Sequence, residues 1–179
     1  MAALRRDAAR NRERILDAAR ELGATGATPQ LNTVARRAEV GVGTVYRHFP
    51  TPEALLEGLA EHRFVELVRS ARTALGEPNA LEGLRRFLGE ALQVYVTDPL
   101  FAEASVNASP AREQTRVLRR ELMDAFKALS DNASTHLRSG LDGNDLMILI
   151  CGIAYSARLR PDKTSSYLEA VLTGVLGAA

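Results

Sequence analysis

The 179-residue sequence predicts an all-α protein. Three features lead to this fold class. No stretch of useful length alternates apolar and polar residues with the period of two expected of a half-buried strand. Apolar residues recur instead every three or four positions, which places them on one face of a helix. Clusters of Gly, Pro, Asp and Asn divide the chain into helix-sized segments, without an internal repeat or a low-complexity tract.

Two helices are predicted at the N-terminal end. The first runs from about Asp7 to Leu22, and Gly23 favours its termination. The second is short and covers about residues 30–38, because Thr28 and Pro29 form an N-cap followed by a proline at the first helical position.

The same pair of signals predicts the start of a long helix. Thr51 and Pro52 repeat the cap and the proline, and the apolar positions that follow fit one broad face as far as about Leu75. Five further helices are expected between the turn-forming stretches GEPNA, TDP, NASP, SGLDG and RPDKTS. They cover about residues 80–97, 100–107, 110–139, 143–159 and 164–177.

Composition limits the class of protein. Hydrophobic residues make up 46% of the chain and charged residues 25%, as in an ordinary globular protein. The single cysteine, Cys151, excludes a disulfide or a Cys-based metal site within one chain, which is typical of a reducing cytosol. The apolar run LMILICGIAY is about half of the ~20 residues needed to cross a bilayer, and the N-terminus lacks the apolar core of a signal peptide. We therefore expect a cytoplasmic protein that does not engage a membrane.

Charge is spread unevenly along the chain. Residues 1–50 contain nine arginines against five acidic residues, whereas the remaining residues contain 14 basic and 17 acidic ones. A basic N-terminal part on a mildly acidic body indicates a polyanionic partner for that part only. The alternative is that these arginines simply solvate helix faces.

Residues 31–49, with the sequence LNTVARRAEVGVGTVYRHF, predict a helix-turn-helix. A small residue, Ala35, stands where two helices would cross closely, a tight turn follows at residues 39–41, and Val45 comes ten residues after Ala35. Such a motif presents its second helix to the major groove of DNA. The residues expected to face inward are Val34, Ala35 and Ala38 on the first helix and Val42, Val45 and Phe49 on the second.

Two other interpretations of GVGTVYRHF, residues 41–49, fit less well. In a strand, Val45 and Arg47 would share one face and Tyr46 and His48 the other, whereas a helix separates apolar from polar residues. A phosphate-binding glycine loop requires a preceding strand and a following Lys-Ser/Thr pair or an acidic ribose ligand, which this segment lacks. In the helix, the outward groups can bond to phosphates and base edges. These groups belong to Gly43, Thr44, Tyr46, Arg47 and His48.

Positions 11–56, NRERILDAARELGATGATPQLNTVARRAEVGVGTVYRHFPTPEALL, resemble the DNA-binding domain of the TetR (tetracycline-repressor) family of transcriptional regulators. The resemblance implies a helix-turn-helix DNA-binding domain with a basic N-terminal arm over residues 1–50. It implies a helical ligand-binding and dimerisation domain over residues 51–179, of which residues 51–75 form the connecting helix. The expected function is that of a repressor that binds a palindromic double-stranded DNA operator as a homodimer and is released by a small, largely apolar molecule.

The resemblance also implies which residues meet DNA. Thr44, Tyr46 and His48 would hold phosphates, and Val42, Gly43 and Arg47 would lie nearest the base edges. The start of the second helix and the N-terminal arm would add backbone contacts. The complete expected set is Arg5, Arg6, Asn32, Thr33, Val42, Gly43, Thr44, Tyr46, Arg47, His48 and Thr51.

Four positions depart from the family pattern, and one of them is Gln30, which replaces a usual Thr or Ser cap. Glu39 stands where the family usually has Gly, at a turn position that often needs a positive φ, which costs a non-Gly residue about 1 kcal/mol or more. Gly41 replaces the usual Ser cap of the recognition helix and is itself an acceptable cap. Pro52 occupies a common Lys position, so one phosphate contact is expected to be missing.

The C-terminal part predicts less specific sites. Aromatic, Met and Cys residues beyond position 80 are candidates to line an effector pocket, although the same pattern is typical of a core. They are Phe87, Tyr95, Phe101, Met123, Phe126, Met147, Cys151 and Tyr155. The last two helices are apolar on more than one side, which favours either a subunit partner or an intramolecular core. The residues expected at a dimer interface are Ile148, Ile153, Leu168, Val171, Leu172 and Val175.

No enzyme, metal site or cofactor is expected. His62 and His136 are isolated in the sequence, and Asp142 and Asp145 stand at a helix start, where acidic residues suit the helix dipole. Two alternatives stay open: a helix-turn-helix dimer that needs no ligand, and, more remotely, an all-helical enzyme.

Overall fold

The computed structural model describes residues 2–23, 29–107 and 109–176, with the side chains of the first helix described from Arg6 onward. This part of the chain contains nine α-helices and no strand beyond one isolated bridge between Leu137 and Leu176, so the predicted all-α class is confirmed. The helices are α1 (Ala2–Leu22), α2 (Leu31–Arg37), α3 (Val42–His48), α4 (Pro52–Leu75), α5 (Ala80–Thr97), α6 (Pro99–Val106), α7 (Glu113–Asn132), α8 (Gly143–Leu159) and α9 (Thr164–Val175).

Side-chain caps account for the helix starts that the sequence located well. The Thr51 hydroxyl accepts a hydrogen bond from the Ala54 N–H at 3.1 Å at the start of α4. At the start of α8, Asp142 and Asp145 form a reciprocal capping box. The predicted cap Thr28 lies outside the described residues, and Gln30 precedes α2 without a side-chain cap.

Two helices differ from their predicted ranges. The first begins at Ala2, so the expected arm residues 5 and 6 lie within α1. The seventh ends at Asn132 and not near residue 139, because the chain passes through a short 3₁₀ turn at Ser134–His136 into an extended segment. There the Arg138 N–H donates to the Val175 carbonyl at 2.9 Å, which takes this backbone out of helical hydrogen bonding.

The chain forms two compact units. Unit 1 contains residues up to His62 together with Pro99–Arg116, and unit 2 contains Arg63–Asp98 and the residues from Val117 onward. The core of unit 1 combines residues of α1, α2 and α3 with the first turns of α4. Its buried members are Ile15, Leu16, Ala18, Ala19, Leu31, Val34, Ala35, Ala38, Val45, Phe49, Leu55 and Leu59. Because Leu55 and Leu59 belong to this core, the compact unit extends past residue 50, where the sequence suggested a boundary.

Unit 2 packs α5, α8 and α9 against one another and includes most of α7. Its largest fully buried side chains include Leu84, Leu88, Leu92, Leu129, Leu146 and Leu172. At the corner between α4 and α5, a Cβ on Gly83 would lie 2.5 Å from the Ala74 carbonyl oxygen. Only a residue without a side chain allows the two backbones to approach so closely.

Candidate DNA-binding surface

The turn between α2 and α3 has the geometry that the sequence predicted. Ala35 is buried, and its carbonyl oxygen accepts a hydrogen bond from the Val40 N–H at 3.1 Å. Glu39 has a φ of 52°, the one positive φ of a non-Gly residue among the described residues. The prediction of a positive φ at this position is therefore confirmed, and a glutamate occupies it at a conformational cost.

The predicted recognition helix, α3, is held in place by buried side chains on one face. Val45 and Phe49 are fully buried, whereas Val42 is 45% exposed, so the prediction that Val42 faces inward is wrong. Val42 is the first residue of a short helix, and its i+4 neighbour is the exposed Tyr46 and not a core residue. Val42 therefore belongs to the outward surface, where the family resemblance had also placed it.

The outward surface of α3 brings several predicted residues together. Gly43 and Arg47 are exposed, and an Arg47 guanidinium nitrogen lies 3.9 Å from the position that a Cβ on Gly43 would take. The Arg47 guanidinium makes no hydrogen bond or ion pair within the described part of the chain. Thr44 and His48 are half-buried at the edge of this surface. A free guanidinium beside a residue without a side chain is well suited to approach a base edge.

The surroundings of His48 favour its neutral form. Burial lowers the pKa of His48 below the usual histidine value, and the charges of Arg12 and Arg47 lower it further. A nearby phosphate would have the opposite effect on this pKa.

The other predicted contact residues lie outside α3. Asn32 is exposed and Thr33 is half-buried, with its hydroxyl 3.4 Å from the Arg36 guanidinium. The Thr51 hydroxyl is already used to cap α4. Arg6 is exposed on α1, and the side chain of Arg5 lies outside the described residues.

The buried end of α3 is surrounded by charged groups that the sequence analysis missed. The Phe49 ring lies with its centroid 6.0 Å from the Arg12 guanidinium carbon and 5.9 Å from that of Arg112. One carboxylate oxygen of Glu61 accepts hydrogen bonds from both guanidiniums, each at 2.7 Å. Glu57 is buried next to them and accepts from the backbone N–H groups of Ala111 and Arg112. We call Arg12, Phe49, Glu57, Glu61 and Arg112 the Phe49 cluster.

This geometry can be compared with known proteins. Residues 15–59 match the sequence model of the bacterial regulatory proteins of the tetR family. The crystal structure of the TetR transcriptional regulator SCO0520 from Streptomyces coelicolor is 30% identical in sequence, covers 94% of this chain and 99% of that chain, and has a TM-score of 0.60. The chain belongs to the TetR family of transcriptional regulators.

Two further relatives place this TetR-family chain more broadly. The transcriptional repressor KstR of Rhodococcus jostii is 34% identical over 134 residues, which span 69% of this chain and 62% of that relative. FadR of Bacillus subtilis, solved in complex with stearoyl-CoA, is 19% identical, covers 91% of this chain and 98% of that chain, and has a TM-score of 0.66. The second likeness concerns the fold alone. The family is one of regulators, so the alternative of an all-helical enzyme is set aside.

In this TetR-family protein, the predicted effector residues do not form one pocket. Met123, Phe126 and Met147 line a cleft of about 430 Å³ between α7 and α8, together with Asp124, Lys127, Asp131, Asp142, Gly143 and Asn144. Phe87 is buried with its ring centroid 6.4 Å from that of Phe126, and Phe101 is buried within unit 1. Tyr95 lies half-buried, with the Arg158 guanidinium carbon 5.9 Å from the centroid of its ring.

The predicted dimer residues also divide into two groups. Ile148 is 70% exposed and begins a stripe along α8 that continues through Cys151, Gly152, Tyr155 and Leu159, all exposed. Ile153 and Val171 are half-buried. Leu168, Leu172 and Val175 are covered by other residues of the same chain and are unavailable to a partner, because α9 packs them into the core of unit 2.

Two absences concern the described residues only. Among them, no helix is both long and apolar enough to span a membrane. The same residues contain no group of three or more His, Cys, Asp or Glu side chains arranged to hold a metal ion.

Proposed function

We propose that this protein is a transcriptional repressor that binds a palindromic operator as a homodimer and is released by a small-molecule effector. The observation that carries the proposal is the surface of α3. Its exposed residues are Val42, Gly43, Tyr46 and Arg47, whereas Val45 and Phe49 are buried and hold the helix in place. A short helix that is held by buried side chains and carries a guanidinium with no partner among the described residues is what a major-groove reader requires.

The chemistry of this surface separates into two roles. Arg47 has the fork of donors that pairs with O6 and N7 of guanine, and Gly43 beside it allows the helix to approach the bases. Val42 offers an apolar contact for a thymine methyl group. The Thr44 and Tyr46 hydroxyls and the His48 imidazole suit phosphate oxygens, which fix the register of the helix without reading sequence.

A second copy of the chain is the proposed partner of α8. The stripe from Ile148 to Leu159 is apolar, continuous over three turns and exposed in one chain. In a two-fold dimer the same stripe would meet itself, which buries both copies at once. The two recognition helices would then read half-sites 34–36 Å apart, about one helical turn of DNA.

The effector is proposed to occupy the cleft between α7 and α8. Met123, Phe126 and Met147 provide apolar walls, and Asp124 and Lys127 are among its polar lining residues. These residues suit a modest, largely apolar molecule with a polar end. FadR, which has a similar fold, was solved in complex with stearoyl-CoA, and this supports the proposal that the present protein also binds a small molecule.

Selection of bound sequences from random duplex DNA tests the proposal. We expect an imperfect palindrome, because a two-fold dimer reads two half-sites. Failure to enrich any palindrome at modest salt would refute the repressor function. That the KstR relatives are named repressors supports repression as the sign of regulation.

A ligand-independent dimer is the second candidate. It is favoured by the burial of Phe87 and Phe101, which pack into the cores of their units instead of lining the cleft between α7 and α8. Thermal-shift screening with small apolar molecules separates the two functions. A compound that both raises the unfolding temperature and weakens operator binding identifies an effector-controlled repressor, and the absence of any such compound favours the second candidate.

A further inference from the structure

Glu57 is a charged side chain that the fold buries almost completely. It is 1% exposed, and its two carboxylate oxygens accept hydrogen bonds from the N–H groups of Ala111 at 2.6 Å and Arg112 at 2.9 Å. A buried carboxylate is unfavourable unless such donors satisfy it. The two bonds therefore tie the Ala111–Arg112 segment to α4.

The tied segment is the start of α7. The Arg112 carbonyl accepts a hydrogen bond from the Arg116 N–H at 3.1 Å, so Arg112 is the residue from which the helix begins. N–H groups at a helix start have no partner within the helix, and an anion there is also favoured by the helix dipole. Glu57 supplies both the acceptors and the charge. It thereby holds the backbone of Arg112 in place.

Glu61 holds the guanidinium at the other end of the Arg112 side chain. It lies one turn after Glu57 on α4, and its Oε2 accepts from Arg112 Nη1 and Arg12 Nη2, each at 2.7 Å. The two guanidiniums are consequently held beside one another on a single carboxylate oxygen. Charge-assisted hydrogen bonds of this length are among the stronger polar contacts in a protein.

Both guanidiniums lie close to Phe49, the residue that closes α3. Its N–H donates to the Val45 carbonyl at 2.8 Å, and its ring is fully buried. The ring centroid is 6.0 Å from Arg12 and 5.9 Å from Arg112, at the distance where a cation interacts with an aromatic ring. His48, directly before Phe49, also feels the Arg12 charge.

We propose that Glu57 is a positioning residue for operator recognition, which acts through Arg112 and Phe49 to hold the C-terminal end of α3. This inference rests on the proposed function and specifies what holds the surface of α3 in the geometry that contacts base edges. Loss of the Glu57 anchor loosens the start of α7 from which the Arg112 side chain extends, weakens the contact with the Phe49 ring and lets the C-terminal end of α3 shift relative to Val45. Arg47, two residues before Phe49, then meets the base edges in several geometries instead of one.

For Glu57→Gln, the proposal predicts a change in operator affinity opposite to the change that charge alone predicts. Glu57→Gln removes a negative charge from a DNA-binding unit, and by charge alone it would strengthen binding to every duplex. A positioning role instead requires specific binding to weaken while non-specific binding is kept or strengthened. The ratio of specific to non-specific affinity therefore separates the two effects.

The experiment compares Glu57→Gln and the milder Glu61→Gln with the wild-type protein, well below their unfolding temperatures. Glu66→Gln is the matched control, because it removes the same charge and an ion pair from α4 without touching the Phe49 cluster. Affinities are measured for the palindromic duplex recovered by selection and for a scrambled duplex of equal length. Amide hydrogen exchange of residues 42–49 is measured in the free protein.

We expect the affinity ratio to fall about tenfold in Glu57→Gln, which is the effect of one lost buried hydrogen bond. A smaller fall is expected in Glu61→Gln and none in Glu66→Gln. Exchange of the α3 amides should accelerate by a similar factor while that of α8 stays unchanged. If Glu57→Gln does not fold, Glu61→Gln decides by the same criteria.

Two results would overturn the proposal. One is an unchanged ratio, with affinities for both duplexes rising together as charge alone predicts. The other is an α3 exchange rate that stays at the wild-type value or rises only in parallel with that of α8, which would indicate general loosening. If the wild-type protein selects no palindrome, the proposed function fails, and the exchange measurement alone decides the role of Glu57.

Discussion

A Cβ on Gly58 would lie 2.5 Å from Cε1 of the Phe49 ring, closer than two carbon atoms can approach without displacement. Gly58→Ala is therefore expected to push the ring out of its place and to destabilise the protein by about 1–3 kcal/mol, as overpacking of a core does. Chemical denaturation measures the loss. Gly174→Ala is the control, since a Cβ at that position of α9 meets no atom within 4 Å. Equal effects of the two substitutions would show that the contact with Phe49 is unimportant.

Glu39 allows a stabilising substitution to be predicted. Its φ of 52° is unfavourable for a residue with a side chain, so Glu39→Gly should raise the free energy of unfolding by about 1 kcal/mol. The ion pair that Glu39 loses, at 3.7 Å from Arg14, is exposed and contributes little. Glu39→Ala removes the same ion pair and keeps the unfavourable φ, so it should not stabilise. Denaturant midpoints of the three proteins decide the matter.

Arg47 should determine part of the operator sequence. Arg47→Ala is expected to cost about 1–3 kcal/mol of binding free energy on the selected operator and to relax the preference at one base position. Tyr46→Phe is the matched comparison on the same surface, because loss of a phosphate contact weakens all sequences alike. Repeating the selection with each variant distinguishes the two outcomes. A base preference that survives in Arg47→Ala would contradict this role.

His48 predicts a pH dependence of DNA binding. Burial, Arg12 and Arg47 lower its pKa in the free protein, whereas a DNA phosphate would raise it in the complex. The complex then binds a proton more tightly than the free protein does, so affinity should increase as the pH falls from about 8 to about 6. Binding titrations across this range test the prediction.

The same titrations with His48→Gln should give a flatter pH profile. His62→Gln serves as the control, because His62 is exposed on α4 and its ring nitrogen lies 2.9 Å from the Leu59 carbonyl oxygen. Wild-type affinity that falls with falling pH would contradict the phosphate contact.

The proposed dimer interface on the α8 stripe predicts a substitution that would separate two copies of the chain. Ile148→Glu should raise the dimer dissociation constant roughly 100-fold or more, because a two-fold interface would bury two unpaired carboxylates. Val65→Glu makes the same kind of change at an exposed apolar position of α4 and should leave the dimer intact. Analytical sedimentation measures the dimer dissociation constants of both variants. Cys151, exposed on the stripe, adds a chemical readout, since oxidation should cross-link wild-type copies but not Ile148→Glu.

Local chemistry explains which parts of the fold were predictable. The starts of α4 and α8 were located because Thr51, Pro52 and Asp142 specify a helix start within a few residues of sequence. The end of α7 was misplaced because the chain leaves the helix for the 3₁₀ turn at Ser134–His136, after which Arg138 bonds to Val175, a distant contact that no local pattern reveals.

The candidate site shows the same division. The outward residues of α3 follow from periodicity, apart from Val42 at the first position of a short helix. The Phe49 cluster does not follow from it, because Glu57 and Arg112 are 55 residues apart in the chain and each looks like an ordinary surface charge. Leu168 and Leu172 were expected at a subunit interface but are buried within the chain. The spacing of apolar residues along a helix is the same whether another subunit or the same chain covers them.

The composition of unit 1 has a practical consequence for building hybrid regulators. A graft that joins residues 1–50 to a foreign effector domain would separate Phe49 from Gly58, Glu61 and Arg112, and it would remove Leu55 and Leu59 from the core. Such a hybrid is expected to bind DNA non-selectively or to unfold. A transplant that carries residues 1–62 together with 99–116 keeps the contacts within unit 1. Such an exchange moves two segments and has three junctions, which lie inside α4, between α5 and α6, and inside α7.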